Sequence, residues 1–358
     1  MTSRRTSVLR LILKRTAFWI LGFQLAGLAF AQQDRPPAPP GTFVELDGLS
    51  VHIDCLGRRG PPVLFLHGLG DYSFDWALVQ PAVAKKTEAC AYDRPGQAWS
   101  APGPPPRGIS TSAYELHLLL QRSAIKGPYI LVGHSWGGLI ARMYAQEYPK
   151  EVAGMVLVDS THEDEYLWIN GKVVRPRFMP EKEWVELSKP KKGAPAAPSG
   201  DSAKQESAQP RPRLTQLPSP YDKLPPDAQS FRLWAMSLPW SRRRDEGGDT
   251  QDIRQDFIAV HTVTAESEPP LGSIPLIVLS KTPGMDDDED YTPDQLAWNR
   301  GLQAQLAALS MNSQHLVADH SGHHIQLDEP DIVIASILRV VDAVRHDRPL
   351  GNEPSFRP

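Results

Sequence analysis

Most apolar residues of this 358-residue chain fall into short continuous runs instead of alternating with polar ones. Pro62 to Leu66 and Tyr129 to Val132 are two such runs, and each leads into a glycine-containing turn. Continuous apolar character indicates strands that are buried on both faces, as in a parallel sheet. The same character recurs at Ala89 to Tyr92, Met155 to Val158, Ile274 to Leu279 and His315 to Ala318.

Two earlier runs, Thr42 to Leu46 and Ser50 to Cys55, are joined by Asp47-Gly48, a dipeptide typical of a tight hairpin turn. Segments with the apolar spacing of helices lie between the later strands. This alternation predicts an α/β fold with a mostly parallel, eight-stranded, doubly wound sheet and right-handed crossovers. The predicted helices are Ala113 to Ala124, Leu139 to Tyr148, Leu296 to Ala308 and Asp331 to Val344.

Residues 161–270 interrupt this alternation, and we interpret them as a lid inserted into a core made of residues 42–160 and 271–348. Within the lid, residues 189–220 are rich in Pro, Ala, Ser, Lys and Gln, which predicts a disordered loop. The tryptophans of this segment are more typical of a small helical core, although a lid over an apolar substrate also needs such residues. They are Trp168, Trp184, Trp234 and Trp240.

The first 31 residues have the pattern of a signal peptide: basic residues, then the uncharged stretch Thr16 to Ala31, ending in Ala-Phe-Ala. This pattern predicts cleavage before Gln32, followed by a proline-rich linker over residues 32–41. The alternative is an uncleaved membrane anchor, because Phe18 and Trp19 suit a membrane interface. We therefore expect a periplasmic or extracellular protein, or one anchored in the membrane by its amino-terminal segment.

Composition and charge exclude some classes of function. The chain is 41% hydrophobic and 22% charged, so it can bury a large core, and its net charge of −4 offers no basic surface for nucleic acid. Its two cysteines, Cys55 and Cys90, fall in predicted strands. In an exported protein such a pair suggests a disulfide, whereas separately buried thiols are the alternative.

The most informative motif is Gly133-His134-Ser135-Trp136-Gly137, directly after a predicted buried strand. A serine between glycines at a strand-to-helix turn is typical of a nucleophile elbow, in which the hydroxyl stands above the sheet. The bare pentapeptide is a weak signal, since a chain of this length contains one by chance roughly one time in ten. Its position after the strand is what gives it weight.

A serine nucleophile needs an imidazole base and an acid that orients the base. His323 is the best candidate base, because Ser321-Gly322-His323 follows the last predicted strand; His320 and His324 are competitors. Two positions are available for the acid. Asp159 directly ends a predicted strand and is preferred, whereas the acidic cluster follows the next strand at a distance and has the character of a solvated loop. That cluster comprises Asp286, Asp287 and Asp288.

The tetrahedral intermediate of acyl transfer carries a negative oxygen, which needs backbone N–H donors. Two N–H groups are candidates for this oxyanion hole. One belongs to Trp136, directly after the serine, and the other to Leu69 in the turn His67-Gly68-Leu69-Gly70. Glycines in that turn let the backbone come close to a substrate.

These residues together resemble the α/β-hydrolase family. The resemblance spans about residues 42 to 345 and is specific for the fold but not for the substrate. One departure is Gln97-Ala98, where the family usually has a glycine, so the shape of that loop is open. The matching motifs are His67-Gly68-Leu69-Gly70, Tyr92 to Ser100, the elbow around Ser135, Leu157-Val158-Asp159-Ser160 and Ser321-Gly322-His323.

The resemblance implies further expectations. No aspartate stands at the usual spacing after the penultimate strand, which fits the subset of the family whose acid follows the preceding strand and so favours Asp159. Family strand order places the strands of Cys55 and Cys90 side by side, which makes a cross-strand disulfide reasonable. Epoxide hydrolases and dehalogenases of this fold place an aspartate at the nucleophile position, where this chain has Ser135.

The sequence therefore predicts an exported serine hydrolase that acts on a small-molecule carboxylic ester through an acyl-enzyme, without metal or organic cofactor. An amidase, thioesterase, lipase or cofactor-free haloperoxidase could use the same triad. A non-catalytic binding protein on the hydrolase scaffold is the alternative from another class.

Overall fold

The computed structural model of the protein describes residues 36–104, 107–189, 214–238, 252–265, 269–286 and 290–351. The predicted signal segment, Trp240, Asp287, Asp288 and most of the predicted loop 189–220 lie outside the described residues. Within the described ranges no helix is both long and apolar enough to cross a membrane.

Eight strands form one sheet and two more form a short hairpin. The strands are β1 Thr42–Leu46, β2 Leu49–Leu56, β3 Val63–Leu66, β4 Ala89–Tyr92, β5 Tyr129–His134, β6 Val152–Val158, β7 Leu167–Ile169, β8 Lys172–Val174, β9 Leu276–Ser280 and β10 Ser313–Val317.

The large sheet has the strand order β1-β2-β4-β3-β5-β6-β9-β10. Strand β2 pairs antiparallel with both β1 and β4, whereas the remaining neighbours pair in parallel. This is the mostly parallel, eight-stranded sheet that the apolar runs predict, so the predicted fold class is confirmed. Because the carboxyl ends of parallel strands meet at one edge, the turns after β3, β5, β6 and β10 are brought together there.

Helices alternate with these strands. They are α1 Gln80–Ala84, α2 Ile109–Arg122, α3 Trp136–Glu147, α4 Glu181–Ser188, α5 Pro226–Ser237, α6 Ile253–Ala265, α7 Pro293–Ala307, α8 Ile325–Asp328 and α9 Pro330–Arg345, with single 3₁₀ turns at Ser73–Trp76, Pro149–Glu151, Pro176–Phe178 and Tyr221–Lys223.

Alternate side chains of the central strands point to opposite faces of the sheet, and helices bury both faces. Leu64 and Leu131 belong to the apolar cluster that includes residues of α2 and α3. Phe65 and Val132 belong to the cluster that includes residues of α9. The result is a three-layer arrangement, which explains why the strand sequences are apolar throughout.

The predicted lid, residues 161–270, lies between β6 and β9 and packs against α3. A bidentate ion pair joins the buried Arg142 of α3 to the buried Glu163, with N–O distances of 2.7 and 2.9 Å. The tryptophans differ in burial: Trp184 is 5% exposed and Trp168 is 47% exposed. Trp234 stacks on Trp99 of the core, with ring centroids 5.1 Å apart.

Cys55 and Cys90 form a disulfide between neighbouring strands. They are directly opposite each other in the β2–β4 ladder, with a Cα–Cα distance of 4.0 Å. The disulfide therefore links the antiparallel β2 to the parallel part of the sheet.

Candidate active site

The elbow around Ser135 lies where β5 ends and α3 begins. Strand β5 extends through His134, and α3 starts at Trp136, so Ser135 is the single residue between them. Its backbone is in a left-handed conformation, with φ +50° and ψ −120°. A non-glycine residue at such a φ is strained, and strain of this kind is concentrated at functional sites. The half-buried Ser135 is therefore presented at the end of the sheet, as the motif predicts.

Two glycines leave room for this turn. A Cβ on Gly137 would lie 2.1 Å from the carbonyl oxygen of Leu66, and one on Gly133 would lie 2.6 Å from the carbonyl oxygen of Gly137. Since these contacts involve backbone atoms, no rotation of a side chain can relieve them. The glycines of the motif are required because β3, β5 and α3 approach one another closely here.

The structure brings the predicted base and the preferred acid together. Nδ1 of His323 lies 2.6 Å from Oδ2 of Asp159, and the backbone N–H of Lys281 donates to Oδ1 of Asp159 at 3.1 Å. Burial opposes ionisation of this carboxyl, but the hydrogen bonds from His323 and Lys281 outweigh it and hold the pKa of Asp159 below its ordinary value. A neutral imidazole that donates from Nδ1 has its free lone pair on Nε2, where a general base needs it.

The competing candidates occupy different places. Oδ2 of Asp286 accepts a hydrogen bond from the backbone N–H of His323 at 3.0 Å, so this residue touches the base loop without facing the ring. His320 is exposed, and its N–H donates to Glu329. His324 is not a surface histidine, because it is largely buried and hydrogen-bonded to Tyr221.

His134 places the base loop beside the serine. Its ring lies 4.7 Å from that of His323, measured between centroids, and its Nε2 lies 3.0 Å from the backbone oxygen of His323. Burial lowers the pKa of His134 to about 4, so near pH 7 this neutral ring has one N–H to donate, and the buried Asp71 carboxylate is its acceptor. The Ser135 hydroxyl itself makes no hydrogen bond within the described part of the chain.

The predicted oxyanion donors lie on both sides of the elbow. Trp136 is the first residue of α3, whose first N–H groups have no partner within the helix. On the other side, the buried Arg94 donates to the carbonyl oxygens of His67 at 2.6 Å and Gly68 at 2.9 Å. In a planar trans peptide the Gly68 carbonyl and the Leu69 N–H point in opposite directions, so Arg94 turns that N–H away from itself.

A buried polar cluster adjoins these groups, and the motifs did not predict it. Asp71, His134 and His324 offer three possible metal-ligand atoms that all lie within 4.8 Å of one another. The guanidinium of Arg232 also approaches Asp71, at 3.5 Å, and supplies a positive charge there. We therefore interpret the cluster as a hydrogen-bond network. Asp71 stands one residue after the predicted oxyanion turn, which is the only sequence signal that could have indicated it.

A cavity of about 440 Å³ borders the base and the acid. Its lining includes His323, Asp159 and the aromatic side chains of Tyr166 and Tyr291, whereas Ser135 is not one of the lining residues. The volume lies within the range of small-molecule sites.

Comparisons with known proteins agree with the fold. A profile of the α/β hydrolase fold matches residues 61–184, a range that includes Ser135 and Asp159. An uncharacterised vacuolar membrane protein of Saccharomyces cerevisiae is 33% identical over 132 residues. This match covers 32% of the present chain and only 20% of the yeast protein. An AB hydrolase superfamily protein of Gibberella zeae is 23% identical over 335 residues, covering 83% of this chain and 96% of that protein.

Among solved structures, a thermophilic esterase from Thermogutta terrifontis has a TM-score of 0.55 and 20% identity, covering 85% of this chain and 97% of its own. The epoxide hydrolase CorEH has a TM-score of 0.58 and 19% identity, with coverages of 85% and 99%. At such identities the likeness concerns the fold alone. The chain therefore has the α/β-hydrolase fold, and its residues 61–184 match the model of that fold.

Proposed function

We propose that the protein is an exported serine hydrolase that cleaves small carboxylic esters through an acyl-enzyme on Ser135. One observation carries the proposal: His323, which is hydrogen-bonded to Asp159, lies on a loop that packs against His134, the residue preceding a serine in an elbow conformation. This is the set of groups that a serine nucleophile requires.

In the proposed mechanism Nε2 of His323 removes the hydroxyl proton of Ser135 as Oγ attacks the ester carbonyl carbon. The N–H groups of Leu69 and Trp136 stabilise the oxyanion that forms. The intermediate collapses by breaking the bond to the alcohol oxygen, which takes its proton from His323. A water molecule then attacks the acyl-enzyme with His323 again as base, and the acid and the free serine are released. Asp159 stabilises the imidazolium in both halves of the reaction.

The identity of the residue at the elbow favours ester hydrolysis over epoxide opening. Esterases and epoxide hydrolases both appear among the structural neighbours, so the fold does not decide between them. Relatives that open epoxides place an aspartate at the nucleophile position, and this chain has Ser135 there. The proposed chemistry needs no metal or organic cofactor. The cavity bordering His323 has a size that supports a small-molecule substrate.

Export is supported by the disulfide between Cys55 and Cys90 together with the signal-like amino-terminal segment. Disulfides persist mainly in oxidising compartments such as the periplasm and the extracellular space. Sequencing the amino terminus of the mature protein tests this part of the proposal: a mature chain beginning at Gln32 supports cleavage, and one that retains residues 16–31 contradicts it.

The experiment that tests the activity compares Ser135→Ala with wild type on a short-chain aryl ester. Loss of the nucleophile should lower kcat by about 10⁶-fold, as in other serine hydrolases. Ser230→Ala is the matched control, because this exposed hydroxyl bonds only to a carbonyl of its own helix. Turnover by Ser135→Ala at the wild-type rate would overturn the proposal.

A further inference from the structure

Asp71 is a buried carboxylate that receives hydrogen bonds from two directions. The residue is 1% exposed; its Oδ2 lies 3.1 Å from Nδ1 of His134, and its Oδ1 accepts a hydrogen bond from the hydroxyl of Tyr221 at 3.0 Å. Burial opposes its charge, but the imidazoles of His134 and His324 outweigh burial and hold the pKa of Asp71 well below its ordinary value. Asp71 is therefore an anion that its neighbours must stabilise.

The donor and the acceptor of each hydrogen bond between Asp71, Tyr221 and His324 can be assigned. Burial and the Asp71 charge raise the pKa of Tyr221, so its hydroxyl keeps its one proton and donates it to Asp71. The Tyr221 oxygen is then free to accept, and Nε2 of His324 lies 2.7 Å from it. His324 consequently donates to Tyr221, and Tyr221 donates to Asp71.

Arg232, which like Tyr221 belongs to the predicted lid, makes the remaining contacts of the network. One nitrogen of its guanidinium donates to the carbonyl oxygen of Gly70 at 3.1 Å, and the other pairs with Asp75. The guanidinium also stacks over the ring of Tyr221, 3.3 Å from its centroid. Arg232 is 4% exposed, so these contacts are made in a largely desolvated environment where they are strong.

Three members of the network from the core are next to residues with predicted catalytic roles. His134 precedes Ser135, His324 follows His323, and Gly70 follows Leu69. Tyr221 and Arg232 come from the predicted lid, residues 161–270, in the 3₁₀ turn Tyr221–Lys223 and in α5. The predicted lid therefore contacts the oxyanion turn and the base loop directly, and it reaches the elbow only through the hydrogen bond between Asp71 and His134.

We propose that Tyr221 and Arg232 are positioning residues through which the predicted lid holds the oxyanion turn and the base loop in their working arrangement. The proposal rests on the proposed serine hydrolase function. It makes the active site incomplete without these two residues, although neither takes part in the chemical step.

Tyr221→Phe tests the proposal with a minimal change. Phenylalanine retains the ring under Arg232 but removes the hydrogen bonds to Asp71 and His324, so folding should survive. We expect kcat for a short-chain aryl ester to fall about tenfold with KM changed less than about threefold, because the loss concerns alignment and not substrate contact. Lys223→Met is the matched control: it removes an ion pair from the same turn to Asp328, at 2.6 Å, and leaves the contacts of Asp71 unchanged. Asp328 also accepts the N–H of Gly322 in the base loop, so exchange in the control is compared at residues 67–75.

Backbone hydrogen exchange provides a second readout that does not depend on activity. In Tyr221→Phe, amides of residues 67–75 and 320–328 should exchange faster than in wild type, while those of β5 and β6 should be unchanged. In Lys223→Met the amides of residues 67–75 should keep their wild-type rates. Arg232→Lys should have a larger effect than Tyr221→Phe, since an ammonium cannot reproduce the planar fork of guanidinium donors.

The outcomes separate the two proposals. An inactive wild type whose 67–75 and 320–328 amides are loosened by Tyr221→Phe contradicts the proposed function but supports the positioning role. An active wild type with Tyr221→Phe indistinguishable from Lys223→Met, in both kcat and the exchange of residues 67–75, overturns the positioning role alone.

Discussion

Replacing Asp159 by Asn tests the assignment of the acid, for which the sequence offers two positions. The carboxylate lies 2.6 Å from Nδ1 of His323, and its side chain is 10% exposed, so water cannot take its place. Asparagine can offer its amide N–H to the ring and favour the wrong tautomer, with the proton on Nε2. In another serine hydrolase this change lowers kcat about 10⁴-fold, which corresponds to about 5 kcal/mol of transition-state stabilisation.

Asp286→Asn is the matched control for this prediction. The contact of Asp286 with the base is a hydrogen bond that its Oδ2 accepts from the backbone N–H of His323. The side-chain carbonyl of an asparagine can accept the same bond. We expect a loss in kcat of less than about tenfold, since a neutral acceptor replaces a charged one. Steady-state kinetics with a short-chain aryl ester and a thermal melt of each variant are the assays. The reasoning is refuted if a folded Asp159→Asn retains more than a tenth of wild-type kcat, or if Asp286→Asn is the slower enzyme.

Three further predictions follow from the structure. Gly137→Ala should abolish activity and lower Tm, because its Cβ would lie 2.1 Å from a backbone oxygen of β3. Replacing Cys55 and Cys90 together by Ser should lower the free energy of unfolding by about 3–4 kcal/mol, the loop-closure value for a sequence separation of 35 residues, measured by urea denaturation. His162→Gln should flatten the pH dependence of stability. Burial lowers the pKa of His162 to about 4. Below pH 6.5 this histidine is therefore protonated in the unfolded chain but still neutral in the folded chain. Wild-type stability consequently falls as the pH decreases from 6.5 towards 4.

Each of these has its own control. Gly301→Ala, with open space around its Cβ, should leave activity unchanged and stabilise α7 by up to about 1 kcal/mol; equal damage from both alanines contradicts the steric argument. Reduction of the wild-type disulfide should match the double serine variant, and an unchanged urea midpoint would show that the bond contributes nothing. A wild-type stability that is flat between pH 6.5 and 4.5 contradicts the His162 prediction.

The framework of the fold was predictable because each buried strand is apolar on both faces and each turn carries its own signal. The hairpin at Asp47-Gly48 is an example, since its left-handed residues suit those two residue types. The predicted boundaries of the helices were less accurate. Helix α2, for example, begins at Ile109, four residues before the predicted start. The loop with the unusual Ala98 keeps a left-handed φ of +40° at that position, so tertiary packing imposes there a conformation that glycine would adopt freely.

The network around Asp71 could not be predicted because its members are far apart in sequence and individually ordinary. Tyr221 and Arg232 lie 150 and 161 residues from Asp71, in a segment whose path over the core no local pattern specifies. Similarly, Arg94 lies in a motif that indicates the fold, but its hydrogen bond to the Gly68 carbonyl depends on the pairing of β3 with β4, which brings the ends of these two strands together. Long-range polar contacts of this kind are determined by the tertiary fold and are not indicated by local sequence.

The central claim is that Ser135 forms a covalent intermediate, and trapping that intermediate tests it most directly. The purified protein is incubated with a serine-reactive phosphonate and digested, and the adduct is located by mass spectrometry. We expect a single adduct on Ser135 that is absent from Ser135→Ala and much slower to form in Asp159→Asn. Absence of labelling in the folded wild type, or an adduct on another residue that persists in Ser135→Ala, would contradict it.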